Sequence, residues 1–446
     1  MSEQAQLFVN AAQVVTCAGP ARARRGTEMA DADVRVGTAV LVEQGTIVAV
    51  DDERTLREAN LTASVVDCLQ GVLTPGFADS HTHAIFGRSR HEEQELRATG
   101  VAYMDIARRG GGIHASVRDL RTRSEDELYS LAAPRLQSLA ASGVTTVEVK
   151  SGYGLSLDDE LKTLRVVHRL AAALPMRIVP TWLGAHEIPL EYRDRPSGRR
   201  DYIDLLVHEM LPAITQERLA SFADVFCEPG VFTVDESREI LLAARAAGLG
   251  IKLHADELVS GGGASLAAEL EATSADHLAA ISDDGIAALS LGRTVATLLP
   301  GTMLFLGKTA QAPARRLIEA GVPVALATDF NPGTSPTTNF PLILTLGVSQ
   351  LRLSASEAMI AGTVNGAAAL GLADHVGQLA PGFSADVVLW DVNDFRELPY
   401  WYGAARCRMS WARGKPCHDH DLGLTFSPAP HTSLHRGRPL PSLDRP

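Results

Sequence analysis

The strongest constraint on the fold is an alternation of apolar strands and amphipathic helices between residues 71 and 370. Paired hydroxyl and carboxylate residues that fit helix capping boxes lie between the strands, as at Ser124 with Glu127 and Thr233 with Glu236. Each strand candidate closes on polar residues or glycine, and the eight candidates are residues 72–73 running into 81, 144–150, 177–182, 224–227, 251–254, 273–277, 295–299 and 322–329.

Eight such units in about 300 residues predict an α/β fold built as a closed (β/α)₈ TIM-like barrel. An open, doubly wound sheet is the alternative architecture. No G-x-G-x-x-G motif follows the first strand, which disfavours that alternative.

The two chain ends carry a different pattern. Residues 6–10, 39–43 and 45–50 read as short strands separated by turn residues, and a matching stretch occupies residues 379–391. We therefore expect residues 1–70 and 371–430 to pair into one discontinuous small β-sandwich domain beside a catalytic barrel of residues 71–370. Residues 431–446, rich in proline, are predicted to form a flexible tail.

Charge and cysteine usage exclude several classes of partner. Lys and Arg number 41 against 53 Asp and Glu, a net charge of −12, which argues against nucleic acid or an anionic membrane as partner. The five cysteines are scattered without a C-x-x-C pair, so neither a disulfide framework nor a zinc knuckle is indicated. With no signal-like N-terminus and no apolar run of membrane-spanning length, we expect a cytoplasmic protein.

Polar side chains fall where the strands of the predicted barrel end. His81 and His83 follow the first strand, and side chains two apart on a strand point the same way. Three histidines and one carboxylate suit Zn²⁺ or Fe²⁺ with one position left for water. A hydrogen-bonded core residue is the alternative for any single histidine, but several strand ends contribute: the other residues are Lys150, His186, Cys227, Glu228, His254, His277 and Asp329.

These residues carry a resemblance to the amidohydrolase superfamily, through the His-x-His after the first strand, the later single histidines and the Thr-Asp after the eighth strand. Within that superfamily the chain is most similar to the imidazolonepropionase family, from about Gly71 to Tyr402. The similar blocks are HTHAIFGRSR at 81–90, YMDIARRGGG at 103–112, VEVKSGYG at 147–154, LGAH at 183–186, HADEL at 254–258, SADH at 274–277 and DFNPGTS at 329–335.

The resemblance implies hydrolysis of a small molecule, 4-imidazolone-5-propanoate, to N-formimidoyl-L-glutamate in histidine degradation, with one divalent metal ion (Zn²⁺ or Fe²⁺/Fe³⁺) and a homodimer. The metal ligands it implies are His81, His83, His254 and Asp329. The substrate pocket would contain Arg90, Tyr153, His186, Glu257, Asn331, Gly333 and Thr334, and the catalytic groups would be Glu257, His277 and Asp329. Some relatives carry Gln at the position of Glu257, so the importance of Glu257 for catalysis stays open.

The residue types fit this chemistry. A bound divalent metal lowers the pKa of its water towards ~7, and Asp329 can take the released proton. His277 is placed to hydrogen-bond the substrate carbonyl. Glu257 is placed to contact a ring nitrogen or the water. The alternative for Glu257 is a solvated carboxylate at the start of a helix.

Arg90 and the segment at 331–334 are the candidates for substrate recognition. A guanidinium at Arg90 can hold a propionate with two charge-assisted bonds, although an ordinary surface arginine is the alternative. Asn331 and Thr334 offer side-chain hydrogen bonds and Gly333 allows close approach, although Asn-Pro-Gly-Thr also fits a simple turn.

The number of metal ions can also be predicted. Binuclear superfamily members usually bridge two metals with a carboxylated lysine at the end of the fourth strand, where this chain has the sequence VFCE at 225–228. We therefore expect one metal.

Two alternative functions remain open. One is aminohydrolysis of nucleobases or related rings, which Arg90 and Tyr153 disfavour because such rings lack a carboxylate. The other is a catalytically inactive scaffold, which would typically lose metal ligands, whereas this chain retains all four.

Overall fold

The structure is a computed structural model that describes residues 5–100 and 111–420. The predicted tail at 431–446 lies outside these residues, as does most of the YMDIARRGGG block. The strands, numbered along the chain, are β1 Gln6–Val9, β2 Gln13–Val15, β3 Val34–Arg35, β4 Thr38–Glu43, β5 Thr46–Asp52, β6 Ser64–Asp67, β7 Val72–Pro75, β8 Phe77–Asp79, β9 Val144–Lys150, β10 Arg177–Ala185, β11 Phe222–Cys227, β12 Gly250–Ala255, β13 Ser274–His277, β14 Val295–Leu298, β15 Val324–Leu326, β16 Val387–Trp390, β17 Cys407–Ala412 and β18 Lys415–Asp419.

Strands β8 to β15 form one parallel sheet in which each strand pairs with the next along the chain. The sheet returns to its start just beyond the strands, where Thr82 bridges Phe330 and the backbone N–H of His83 donates to the carbonyl of Phe330 at 2.8 Å. The carboxylate of Asp79 accepts bonds from the backbone N–H and hydroxyl of Thr328, at 3.0 and 2.6 Å. This confirms the barrel prediction, and the consecutive strand order excludes the doubly wound alternative.

Helices cover the outside of the barrel. The predicted capping boxes at Ser124 and Thr233 are both present, and Ser354 forms another. The helices are α1 Glu53–Ala59, α2 His91–Ala98, α3 Ile113–Arg121, α4 Glu125–Ala140, α5 Leu157–Ala173, α6 Leu190–Arg193, α7 Gly198–Leu205, α8 Leu211–Glu217, α9 Val234–Ala246, α10 Gly263–Glu269, α11 Asp283–Leu291, α12 Pro300–Phe305, α13 Ala314–Glu319, α14 Phe340–Ser349, α15 Ala355–Gly362, α16 Val364–Ala368 and α17 Glu397–Tyr400.

The two chain ends build a pair of small sheets beside the barrel. One has the order β5-β4-β1-β6, and the other has the order β18-β17-β16-β7-β2-β3 and so mixes strands from both ends. Apolar side chains from both sheets meet in one buried core that includes Phe8, Val40, Leu73, Leu389 and Trp411. The predicted small sandwich built from both chain ends is therefore confirmed, while the exact domain boundaries stay a prediction.

The first barrel strand begins later than the sequence suggested. Val72–Pro75 pairs antiparallel with β16 in the outer sheet, and only Phe77–Asp79 pairs with β9 in the barrel. The change of sheet takes place at Gly76, whose backbone N–H donates to the carbonyl of Asp386. A side chain there would meet the hydroxyl of Thr145 at 2.0 Å, so a glycine is needed at this crossing point. One continuous apolar run thus serves two sheets.

Two expectations drawn from composition can be compared with the structure. All five cysteines are buried and free. Among residues 5–100 and 111–420, no helix has both the length and the apolar character needed to span a bilayer.

Candidate active site

Four predicted ligands meet at the C-terminal mouth of the barrel. His81 and His83 follow β8, His254 lies on β12 and Asp329 follows β15. The Nε2 atom of His83 lies 3.3 Å from that of His81 and 3.4 Å from that of His254. The Oδ1 atom of Asp329 lies 3.5 Å from His81 Nε2 and 3.6 Å from His83 Nε2. His81, His83 and Asp329 form one buried group of possible metal donors, and His81, His254 and His277 form a second group that shares His81. Nitrogen and oxygen donors of this kind suit a divalent cation.

His277 and Glu257 lie beside this donor set. His277 ends β13, its ring centroid is 5.2 Å from that of His254, and its Nε2 atom is 3.6 Å from Oε2 of Glu257. The backbone of His277 and Asp329 is left-handed, with φ of +77° and +51°. Non-glycine residues rarely adopt this conformation, and it concentrates at functional sites. Both residues therefore combine an uncommon backbone conformation with a position at the end of a barrel strand.

Burial dominates the protonation of these groups. It lowers the pKa of His81, His83 and His277 well below the ordinary value, which keeps the imidazoles in the neutral form that binds metals. Burial and the charges of Asp329 and Glu228 raise the pKa of Glu257 to about 8, and burial raises that of Asp329 to about 6. A cation held by the donor set would favour the ionised carboxylates.

His186 and Tyr153, both predicted to line the substrate pocket, pack beside His83. The ring of His186 stacks on His83 at 5.1 Å with an interplanar angle of 18°, and its Nδ1 atom lies 2.8 Å from the carbonyl of Gly152. Burial and the neighbouring His254 lower the pKa of His186 to about 3. The Tyr153 ring lies 5.4 Å from His186. Both rings are therefore buried next to the predicted ligand His83.

Arg90 is buried rather than a surface arginine. Its side chain is 6% exposed, whereas its neighbour Arg88 is exposed. The Nε atom of Arg90 lies 3.4 Å from Oε2 of Glu93, and the guanidinium packs directly on Gly333. The backbone N–H of Arg90 donates to the carbonyl of Pro332 at 3.2 Å, which places this arginine beside the turn that follows Asp329. A buried guanidinium at this point fits an anionic group of a ligand.

The segment after Asp329 is a turn that Asn331 builds from within. Its side-chain amide donates to the carbonyl of Asp329 at 2.7 Å and to the hydroxyl of Thr334 at 2.9 Å. Its Oδ1 atom accepts the backbone N–H groups of Gly333 and Thr334, both at 2.8 Å. The turn interpretation is therefore correct for the bonds of Asn331, and the turn brings Gly333 to Arg90. Contacts of these residues with substrate stay a prediction.

The remaining strand-end residues lie outside the mouth or support it. The ammonium of Lys150 is buried within the barrel, 2.7 Å from carboxylate oxygens of both Glu148 and Asp224. Glu228 accepts the backbone N–H groups of residues 257 to 259 and so supports the loop that carries Glu257. Cys227 is buried, and the fourth barrel strand ends without a lysine, as the sequence showed.

The sequence did not predict the residues that contact the second polar atom of three of the predicted ligands. Asp276 lies 2.6 Å from Nδ1 of His81, Asp224 lies 3.0 Å from Nδ1 of His254, and the hydroxyl of Thr302 donates to Oδ2 of Asp329 at 2.5 Å. A signal existed, because charged residues inside apolar strands are costly unless they are paired. The partners themselves come from other strands and could not be identified without the fold.

A barrel with this donor set at its mouth defines a metal-dependent hydrolase of the amidohydrolase class. The sequence model of the Amidohydrolase family matches residues 104–418. Among solved structures, Escherichia coli guanine deaminase superposes with a TM-score of 0.70 at 16% identity, covering 94% of this chain and 100% of that one. An adenosine deaminase from Xanthomonas campestris with bound zinc superposes at 0.68 and 18% identity, covering 92% of each chain. These two structures share the fold.

Closer relatives specify the family. Imidazolonepropionase of Symbiobacterium thermophilum is 50% identical over 414 residues, which is 92% of this chain and 96% of the relative. The enzymes of the same name from Geobacillus kaustophilus and Clostridium tetani are each 47% identical, over 92% and 88% of this chain and 97% and 93% of theirs. The chain belongs to the imidazolonepropionase family.

Proposed function

We propose that the protein hydrolyses 4-imidazolone-5-propanoate to N-formimidoyl-L-glutamate, a step in the degradation of L-histidine. The observation that carries the proposal is a His and Asp donor set at the barrel mouth together with a buried arginine, Arg90, which packs on the turn that follows Asp329. The relatives that carry the name imidazolonepropionase support it. We also propose a homodimer, as the resemblance implies, and a cytoplasmic location, as the N-terminal sequence and the scattered cysteines suggest.

One metal ion, Zn²⁺ or Fe²⁺/Fe³⁺, would be held by His81, His83, His254 and Asp329. Bound there, a divalent cation lowers the pKa of a water ligand towards ~7 and so makes hydroxide available at neutral pH. A further cluster of possible donors, His81, Glu148 and Asp276, lies deeper in the barrel. The ammonium groups of two lysines already occupy it, at 2.7 to 3.8 Å from its carboxylates, which supports a single metal.

The reaction adds water to the ring carbonyl carbon, breaks the bond from that carbon to the ring nitrogen and moves one proton to the departing nitrogen. Asp329 would accept the proton of the attacking water and deliver it to the nitrogen. His277 would hydrogen-bond the carbonyl oxygen as negative charge develops on it. Glu257, within 3.6 Å of His277, would contact a ring nitrogen or the water.

Recognition of the substrate would fall to the walls of the mouth. Arg90 would hold the propionate through two parallel charge-assisted bonds. Tyr153 and His186 would pack against the planar ring, and Gly333 and Thr334 would close the side nearest Asp329.

The test is a coupled assay in which 4-imidazolone-5-propanoate is generated in situ and its ultraviolet absorbance is followed with and without the protein, before and after chelation. We expect a loss of absorbance that depends on the protein and that the chelator abolishes. No loss above the spontaneous rate, from a protein shown to hold metal, would refute the substrate assignment and favour a deaminase.

A matched pair of arginine variants tests the role of the carboxylate in recognition. We expect Arg90→Ala to raise KM for the acidic substrate by about 10- to 100-fold, the range for loss of charge-assisted bonds. Arg88→Ala, two residues away and exposed, should leave KM unchanged. Equal effects of both variants on KM would show that Arg90 does not bind the carboxylate of the substrate.

A further inference from the structure

We propose that Asp276, Asp224 and Lys150 act as one set of positioning residues, which fixes the ring orientation and tautomer of His81 and His254 for metal binding. The proposal rests on the metal centre proposed above and deepens it. It concerns side chains behind the donor set, on β9, β11 and β13, which do not face the mouth.

The first contact is between Asp276 and His81. Oδ2 of Asp276 lies 2.6 Å from Nδ1 of His81, and both side chains are fully buried. The other oxygen of Asp276 accepts the hydroxyl of Ser274 at 2.6 Å, which fixes the carboxylate plane. The ammonium groups of Lys150 and Lys252 lie 3.8 and 3.7 Å from the same Oδ2 atom and favour the ionised carboxylate. An ionised carboxylate only accepts hydrogen bonds, so Nδ1 of His81 carries the proton. Its Nε2 lone pair then points at the other donors.

The second contact is between Asp224 and His254. Oδ1 of Asp224 accepts the backbone N–H of His254 at 3.2 Å, and Oδ2 lies 3.0 Å from Nδ1 of the ring without the geometry of a hydrogen bond. Asp224 therefore bonds the backbone of His254 and places a carboxylate beside Nδ1 of its ring. The Nε2 atom of His254 is left facing His83, 3.4 Å away, where a metal would be shared.

Lys150 links the two aspartates. Its buried ammonium lies 2.7 Å from Oδ2 of Asp224 and 3.8 Å from Oδ2 of Asp276, the same two oxygens that face the histidines. Glu148 and Lys252 complete the cluster, with Lys252 at 2.9 Å from Glu148 and 2.7 Å from the carbonyl of Ser80. Breaking a buried ion pair by removing one partner is strongly destabilising, so the five charges fix one another in place.

The charge balance also suits a cation. Three carboxylates and two ammonium groups in this cluster leave one excess negative charge directly behind the neutral imidazoles. A carboxylate that accepts from the far nitrogen of an imidazole raises the basicity of the ligating nitrogen. The set would therefore both orient the ligands and strengthen their bonds to the metal.

The experiment is a measurement of zinc affinity, by competition with a chromophoric chelator, on the wild type and on Asp276→Asn and Asp224→Asn. Asparagine keeps an oxygen acceptor of nearly the same shape and removes the charge. We expect each variant to bind zinc about 10- to 100-fold more weakly, the range for loss of such outer partners. An affinity within about twofold of the wild type, in a folded Asp276→Asn protein, would overturn the proposal.

Asp386→Asn is the matched control. Asp386 is equally buried and also accepts a side-chain and a backbone bond, from Ser384 and Arg413, but it lies beside the outer sheet. We expect this variant to lose stability and keep its zinc affinity. A loss of zinc affinity as large as that of Asp276→Asn would show that a general loss of stability weakens zinc binding, and it would overturn the proposal.

A second measurement covers the case in which the site variants fail to fold. Histidine labelled with ¹⁵N in the zinc-free wild type reports the tautomer of each ring, with His81 assigned by its loss in His81→Asn. We expect Nδ1 of His81 to carry the hydrogen, and a hydrogen on Nε2 would overturn the proposal. Neither measurement uses substrate, so a failed ring-opening assay leaves both results standing, whereas a wild type that binds no zinc would refute this proposal and the proposed centre together.

Discussion

At the scale of single residues, Gly333 shows how the absence of a side chain can serve a site. A Cβ atom at this position would lie 1.5 Å from Nη2 of Arg90, so no other residue fits beside the guanidinium where it stands. The backbone N–H of Arg90 also donates to the carbonyl of Pro332 at 3.2 Å. The turn after Asp329 and the arginine are therefore built against each other, and the position of the guanidinium depends on the turn.

We predict that Gly333→Ala displaces Arg90 and raises KM for the acidic substrate by about 10- to 100-fold, with a smaller change in kcat. The split is expected because a carboxylate held equally in the ground state and the transition state affects KM and not kcat. Steady-state kinetics measures it. Gly292→Ala is the control, since a Cβ there has no neighbour closer than 3.9 Å. A fall in kcat at unchanged KM would contradict the assigned role of Arg90.

The sequence predicted the barrel strands well, and it predicted which polar side chains gather at their ends, because both depend on local patterns. Apolar runs that end on a polar residue located the barrel strands to within a few residues, and the His-x-His spacing placed two ligands on one face. What it could not give was the pairing of distant residues. Asp276 and Lys150 each occupy a buried strand, and only the barrel shows that they share an environment with Asp224. The sequence also did not show that residues 72–75 belong to the outer sheet and residues 77–79 to the barrel. Which strands pair is determined by the whole sheet and not by the local pattern.

At the scale of elements, buried carboxylates hold the loops that carry two side chains proposed to contact substrate, Tyr153 and Glu257. Glu160, on α5, accepts the backbone N–H groups of Gly152, Gly154 and Leu155, at 2.8 to 3.2 Å, and so encloses the loop that carries Tyr153. Glu228 does the same for the loop that carries Glu257. Each loop thus receives from a helix or strand the hydrogen bonds that it cannot make within itself.

We predict that Glu160→Gln weakens substrate binding while leaving the metal in place. The new amide would direct N–H against backbone N–H groups, at a cost of about 1–3 kcal/mol in stability, and the loop would release Tyr153. KM should rise with unchanged zinc content, as measured by kinetics and metal analysis. Glu127→Gln, which alters a carboxylate at the exposed start of α4, should leave KM unaffected. A folded Glu160→Gln protein with normal KM would disprove the role of this loop.

The capping boxes yield a prediction about pH. Burial raises the pKa of Glu236, but bonds from Arg199 and Thr233 outweigh it and lower the pKa from 4.5 to about 2. Because the folded pKa lies below the unfolded value, the ionised carboxylate stabilises the fold above about pH 4.5, and this contribution is lost as pH falls towards 2. Glutamine can still cap the helix, so Glu236→Gln isolates the charge. We expect lower stability than wild type at about pH 7 and a smaller gap at about pH 3, measured by urea unfolding. A gap independent of pH would contradict the assignment.

At the scale of the whole molecule, Trp390 joins the small sandwich to the barrel. It lies on β16, is fully buried, and donates from Nε1 to the hydroxyl of Thr74 at 2.8 Å. Its ring centroid is 5.5 Å from that of Phe77 on the first barrel strand, and a Cβ on Gly143 would meet it at 2.5 Å. The outer sheet and the strand that leads to the metal ligands are thus packed on one side chain.

We predict that Trp390→Ala lowers the free energy of unfolding by about 3–5 kcal/mol, the cost of removing a buried aromatic side chain. Because β7 and β8 follow each other through Gly76, loosening the outer sheet should loosen the first barrel strand and the segment carrying His81. Urea unfolding followed by far-ultraviolet circular dichroism and by residual activity should therefore show both midpoints falling together. Trp401→Ala, at a ring that is 40% exposed, should shift neither by more than about 1 kcal/mol. An activity midpoint that stays at the wild-type value while the circular dichroism midpoint falls would mean that the barrel does not depend on the sandwich for its stability.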